Sequence, residues 1–158
     1  MKKRILGIDP GYGRLGYAII EKSDEGQEEL IIAGCIQTSK QELYEKRLQK
    51  IGKEFKSLLK KYNPDVLAIE KLFLNTNQKT AMRVVETRGV ILYLAKNLRV
   101  YEFSPPEIKL AICGYGRADK KQVEKMVNLI FKIETPLKYD DAVDAVAIAF
   151  TSLRNIHF

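Results

Sequence analysis

Residues 140–150 read DDAVDAVAIAF. From Ala142 to Phe150 every residue except Asp144 is apolar, so a helix here has no broad polar side to turn toward water. Most of its circumference must be buried, and the rest of the chain has to supply the layers that bury it. With 158 residues there is material for one core and hardly for two, which predicts a single domain over residues 1–158.

The partners of that helix can be read upstream. Residues 4–9, 15–22 and 29–38 are apolar, β-branched runs separated by Pro10-Gly11 and by Ser23-Asp24-Glu25-Gly26. Connections this short predict an antiparallel meander. Ser39 and Glu42 have the spacing of a capping box, and behind them Tyr44, Leu48, Ile51, Phe55, Leu58 and Tyr62 trace one helix face as far as Asn63-Pro64. Val66–Glu70 is a short strand, residues 76–98 a long helix and Val100–Phe103 a further strand. Ser104-Pro105-Pro106-Glu107 starts a short helix toward Gly114, and Asp119 caps another with Val123, Met126, Val127 and Ile130 on its inner face. Three strands followed by helix, strand, helix, strand and helices predict an α/β fold. Its five-stranded mixed sheet has a three-stranded antiparallel meander on one side, parallel strands on the other and helices over both faces.

Four carboxylates occupy places where the local pattern calls for hydrophobes: Asp9 closing LGID, Glu70 closing VLAIE, and Asp141 and Asp144 in the last helix. Asp141 and Asp144 are three residues apart and share a helix face. If the first strand neighbours the one ending at Glu70, Asp9 and Glu70 project to one edge of the sheet, where the helix can bring its pair. Acids so placed need cations, hydrogen bonds or water, and a cluster of oxygen donors suits a hard cation such as magnesium or manganese better than zinc. Taken singly, Asp9 can be a turn former, Glu70 a solvated strand end and Asp141 a cap. Asp144, inside an apolar helix, resists such a reading best, and Asp140 is taken as the helix cap.

The net charge of +7 and pI near 9.3 favour a polyanionic partner such as nucleic acid, with a solvated lysine-rich surface as the alternative. No segment approaches the roughly 18–20 apolar residues of a membrane span. Lys2-Lys3-Arg4 leads straight into a strand-like run, so the expectation is a cytoplasmic protein with no membrane partner. Cys35 and Cys113 are far apart, with no CxxC and no histidine cluster, and read as reduced thiols rather than zinc ligands. The one histidine, His157, is next to last and reads as a tail residue.

The segments ILGIDPG, LAIEKLF and DDAVDAVAIA, with RVVETRGVI and SPPEIKLAICGYGRADKKQV between the last two, strongly resemble the RuvC family of bacterial Holliday junction resolvases, from about Arg4 to Leu153. GIDPG alone also opens actin-like ATPases and sugar kinases, but those need two lobes and a second phosphate loop. A non-catalytic DNA-binding relative would be expected to lack one of the acids. Chemistry alone leaves open another nuclease of the same fold acting on RNA–DNA hybrids or branched DNA.

The resemblance implies a ribonuclease H-like fold and a homodimer that nicks two opposed strands of a four-way junction symmetrically. Its products carry 5′-phosphate ends that ligase can seal, in homologous recombination and DNA repair, with the RuvA and RuvB branch-migration proteins as partners. It makes Asp9, Glu70, Asp141 and Asp144 the catalytic acids and the ligands of two Mg2+ ions, with Mn2+ able to substitute. It assigns base stacking to Phe73 and DNA contacts to Lys109 and Lys120, with Arg117 and Lys121 adjoining them. Ala81, Val85, Gly89 and Leu92 form a candidate dimer stripe, packing against the chain's own sheet being the equal alternative. Leu15 and Lys71 stand where the family commonly has Thr and Gln. Lys71 is expected to pair with a phosphate or a neighbouring acid.

Overall fold

The computed structural model describes residues 2–72 and 78–155. Phe73, the first residues of the expected 76–98 helix and His157 lie outside them. The strands are β1 (Lys3–Asp9), β2 (Arg14–Lys22), β3 (Glu28–Gln37), β4 (Val66–Glu70) and β5 (Arg99–Phe103). The helices are α1 (Tyr44–Tyr62), α2 (Gln78–Leu94), α3 (Pro105–Cys113), α4 (Lys120–Ile130) and α5 (Asp140–Asn155).

The sheet runs β3-β2-β1-β4-β5. The pairs β1–β2 and β2–β3 are antiparallel, while β1–β4 and β4–β5 are parallel. This is the expected meander with parallel additions.

Strand alternation divides the core in two. Ile5, Val66 and Ala68 pack with α5 and the inner faces of α3 and α4. Leu6, Ile8, Leu67 and Ile69 pack with Ile51 and Phe55 of α1 and Ile91 of α2. Asp9 continues the parity of Ile5 and Gly7, and Glu70 that of Val66 and Ala68. Since Ile8 is in register with Ile69, the two acids end neighbouring parallel strands on the α5 side.

Helix α5 lies against the sheet where side chains are missing. A Cβ on Gly7 would stand 2.2 Å from the Ala145 carbonyl oxygen and 2.7 Å from the Ala149 Cβ. One on Gly16 would stand 1.9 Å from the Asp141 carbonyl oxygen. Glycine is required at both positions for the helix to come this close. From Ala145 to Leu153 every residue of α5 is buried, as its composition demands.

Three boundaries differ from the sequence reading. The Ser39–Glu42 pair forms half of its box, with Ser39 N–H donating to the Glu42 carboxylate at 3.0 Å, but as a separate turn. Helix α1 starts only at Tyr44, behind Leu43, because Thr38 and the turn beyond it first return the chain to the Gly13 loop, Thr38 N–H donating to Gly13 O at 3.0 Å. Helix α2 stops at Leu94 rather than near 98, since Leu98 N–H turns back to Ala95 O at 2.8 Å to enter β5. Asp140 is the first residue of α5, not its cap, and its carboxylate is drawn to the cations described below. Ser104 N–H donates to the Glu107 carboxylate at 2.7 Å as the box there predicts, and Asp119 caps α4 as expected, Gln122 adding the reciprocal bond that makes it a box.

Gly7→Ala is expected to lower the unfolding free energy by about 1–3 kcal/mol, the usual cost of overpacking. Gly89, on α2 with nothing within 4 Å of an added Cβ, should gain up to about 1 kcal/mol as alanine. Urea titration of both variants checks the pair, and an unaffected Gly7→Ala protein would contradict the close packing of α5.

Candidate active site

Asp9, Glu70, Asp141 and Asp144 meet at the end of the sheet where β1 and β4 terminate under the first turns of α5. Each is partly buried. Desolvation is the leading effect on all four and raises their proton affinities, and their mutual repulsion adds to it. For Asp9, burial first and then Asp144, Glu70 and Asp141 push the carboxyl up to about 8. Burial followed by Asp144 raises Glu70. Burial, with Asp140 and Asp141, raises Asp144 against the opposing pull of Lys120. Burial raises Asp141 against Arg14.

Cations stand among these acids. Lys120 Nζ lies 3.4 Å from Asp140 and 4.0 Å from Asp144, and the nearby Asp144 chiefly holds its ammonium protonated. Lys109 of α3 is close enough to lower both Glu70 and Asp144. Arg14, at the start of β2, places Nε 3.0 Å from Asp141 Oδ2 and Nη2 3.5 Å from Asp140. Asp140, against some desolvation, is held below its ordinary range by Lys120 and Arg14.

The donor set fits a hard divalent cation. It consists of carboxylate oxygens, and Asp141 Oδ2 is buried without a hydrogen-bond partner, its approach to Arg14 being a charge contact only. Among the described residues no three acidic, histidine or cysteine side chains close on one point as a finished coordination sphere. Like charges hold apart, and Arg14 and Lys120 lie between them.

Glu70 is also fixed through its backbone. Arg88 of α2, only 7% exposed, donates through Nη1 to the Glu70 carbonyl at 2.7 Å and pairs through Nη2 with Glu102. Lys71 N–H donates to Phe103 O at 2.8 Å. The end of β4 is thereby tied to both α2 and β5.

The structure thus brings together all four acids with Lys109 and Lys120. Arg117 and Lys121 are exposed and contribute no ion pair to the cluster. Phe73 is outside the described residues. Lys71 pairs with Glu107 at 3.6 Å, an acid as expected. Leu15 is fully buried in the core beneath α1 and α2, which accounts for an apolar residue there. Cys35 and Cys113 are free. Of the proposed dimer stripe, Val85 and Gly89 are exposed while Leu92 packs inward. The exposed ridge of α2 is instead Met82, Val85 and Tyr93.

Arg14 and Arg88 had no role in the sequence reading. The available signal was weak: an arginine heading a buried strand, and one inside a helix between Thr87 and Gly89.

In the folded chain Asp9 keeps its proton to about pH 8, against an ordinary value of 3.8. Between those values the folded state binds the extra proton, so stability falls as pH rises. Without divalent metal, Asp9→Asn should therefore melt higher than the wild type, by a margin that widens from pH 4 to pH 8. Each kcal/mol of relieved repulsion corresponds to roughly 2–4 °C. Melting curves in chelator across this range check it, and a margin independent of pH would contradict the crowding of the acids.

Comparison with known proteins agrees with this geometry. Residues 5–152 match the family described as crossover junction endodeoxyribonuclease RuvC. The protein of that name from Thermosipho melanesiensis is 50% identical over 149 residues, covering 93% of this chain and 94% of the relative. That from Petrotoga mobilis is 46% identical, covering 92% and 90%. The structure of Thermus thermophilus RuvC in complex with Holliday junction substrate superposes with a TM-score of 0.88 at 28% identity, covering 96% of this chain and 93% of that one. With the family model matching nearly the whole chain and relatives 46% and 50% identical along it, and a ribonuclease H-like neighbour of the same fold, the chain belongs to the RuvC family of crossover junction endodeoxyribonucleases.

Proposed function

We propose that the protein resolves four-way DNA junctions by metal-dependent phosphodiester hydrolysis, as a homodimer that nicks two opposed strands symmetrically. The observation that carries this is the partly buried carboxylate cluster at the end of β1 and β4, bordered by Lys109, Lys120 and Arg14. Carboxylates whose burial and neighbouring acids raise their proton affinities gain when a divalent cation, rather than protons, neutralises them.

Asp9, Glu70, Asp141 and Asp144 would hold two Mg2+ ions, or Mn2+ in their place. The metal would activate the attacking water and stabilise the departing 3′ oxygen, leaving a 5′-phosphate. The chain's own groups do the positioning. The carbonyl of Glu70, fixed by Arg88, keeps its carboxylate at the strand end. Lys120, whose proton Asp144 holds still more firmly, is a standing positive charge for the developing charge of the phosphate rather than a base. Lys109 and Lys120, with Arg117 and Lys121 farther out, receive backbone phosphates, and Phe73 stacks on a base at the crossover.

One site per subunit cuts one strand, so a two-fold dimer matches the two-fold junction. The α2 ridge of Met82, Val85 and Tyr93 beside an apolar groove against α1 is the proposed contact. No helix among the described residues is long and apolar enough to cross a membrane. We place the activity in the cytoplasm, in recombination and repair, downstream of RuvA and RuvB.

Purified protein should cut a mobile four-way junction in Mg2+ into paired, ligatable products, and leave duplex, single-stranded and hybrid controls largely intact. Asp9→Asn should lose at least about a thousandfold in rate while still binding the junction, and Lys120→Ala about a hundredfold, in line with loss of a transition-state charge partner. Equal cleavage of hybrids would move the substrate assignment, and an active Asp9→Asn would remove the acid mechanism. Tyr93→Asp should halve the mass in sedimentation and replace paired nicks by single ones. A dimer that survives it would place the two-fold elsewhere.

A further inference from the structure

A second cluster of charge lies beside the acids and is opposite to them in sign. A pocket of about 460 Å³ opens between the β1–β2 loop and α2, lined by Tyr12, Arg14, Lys40, Arg47, Arg83 and, at its inner end, Asp141. Its key member is Arg47, on the first turn of α1. Arg47 is 5% exposed, and among the described residues it has no carboxylate in ion-pair range.

A buried cation without a counter-ion is costly. Here Nε donates to Thr38 Oγ1 at 2.9 Å and Nη2 to Tyr12 O at 3.3 Å, both neutral acceptors, and the guanidinium lies over the Tyr12 ring at 4.8 Å.

Arg83 is held in a similar way. Its guanidinium lies 5.5 Å from the Tyr12 ring and 4.7 Å from the Tyr44 ring, and the two rings meet edge to face at 6.0 Å. Stacking on aromatic faces orients a guanidinium while leaving its N–H donors free. Lys40 is exposed at the rim and, like Arg83, forms no ion pair among the described residues. Arg14 is satisfied by Asp140 and Asp141 and joins the pocket to the acids.

We propose that this pocket is a phosphate subsite, taking a backbone phosphate that flanks the scissile one on the strand being cut. It rests on the reading above that DNA crosses the acid cluster. Planar, pre-oriented guanidinium donors suit a phosphate diester. The location next to Asp141, while Lys109 and Lys120 attend Glu70 and Asp144, gives the strand a positive contact on a second side of the reacting group. Arg47 supplies fixed charge from beneath, and Arg83 and Lys40 make the direct contacts.

The test is junction binding in an Asp9→Asn background that does not cut, for the parent and for Lys40→Ala/Arg83→Ala, with neutral methylphosphonates replacing the phosphates around the cleavage point one at a time. Both substituted side chains lie outside the core, so melting curves should superimpose within a few degrees. The parent should lose roughly tenfold in affinity at one flanking methylphosphonate, as expected for a charge-assisted contact. The double variant should bind the unmodified junction at least tenfold more weakly, be indifferent to that methylphosphonate, and show a log–log salt slope smaller by about 1–2. A double variant that binds like the parent, or that loses tenfold at the same methylphosphonate, overturns the subsite alone. A wild-type protein that binds no junction at all overturns the functional reading and the subsite with it.

Discussion

The contact on which the rest depends is that of α5 with the glycines of β1 and β2. Gly7 and Gly16 leave no side chain between strand and helix, so the helix backbone itself touches the sheet. That approach performs two tasks at once. It buries an apolar helix that could not face water, and it lowers Asp141 and Asp144 onto the strand end that carries Asp9 and Glu70. Among the described elements neither task has a substitute: α3 and α4 pack against α5 and contribute cations to the cluster rather than acids.

The electrostatics then work against stability by design. Four carboxylates are drawn from water and pressed together, and the fold offsets this only in part with Lys120 and Arg14. Full pairing with arginines would make a more stable protein but would close the cluster to any cation from solution, since a buried guanidinium is hard to displace. The two cations that pair with these acids are instead well exposed, Lys120 at 77% and Arg14 at 49% of the side chain, so each can yield its carboxylate at little cost. Arg88, which is buried, takes a carbonyl instead and holds the backbone without competing for the acid's oxygens.

Local chemistry was legible in the sequence wherever a residue's role is set by its neighbours along the chain. The parity that puts Asp9 and Glu70 on one face, the box at Ser104, the cap at Asp119 and the burial of α5 all follow from residues a few positions apart. What could not be read depends on distant segments meeting. Arg14 reaches Asp141 across more than a hundred residues of chain, Arg88 reaches back from α2 to Glu70, and Arg47 packs on Tyr12 from a different element. A lone arginine has the same appearance in sequence whether it is solvated or buried. The start of α1 was misplaced for the same reason: a good local cap at Ser39 was outweighed by the return of Thr38 to the Gly13 loop.

The position of α5 in the chain carries a consequence for biosynthesis. It is the last of the described elements to leave a ribosome, yet it lines β1, β2 and β4 and supplies two of the acids. A nascent chain that has not yet reached α5 therefore has neither a closed core nor the full cluster of acids. Closure of the core and assembly of the acid cluster thus wait on the same helix, and neither is reached without the other.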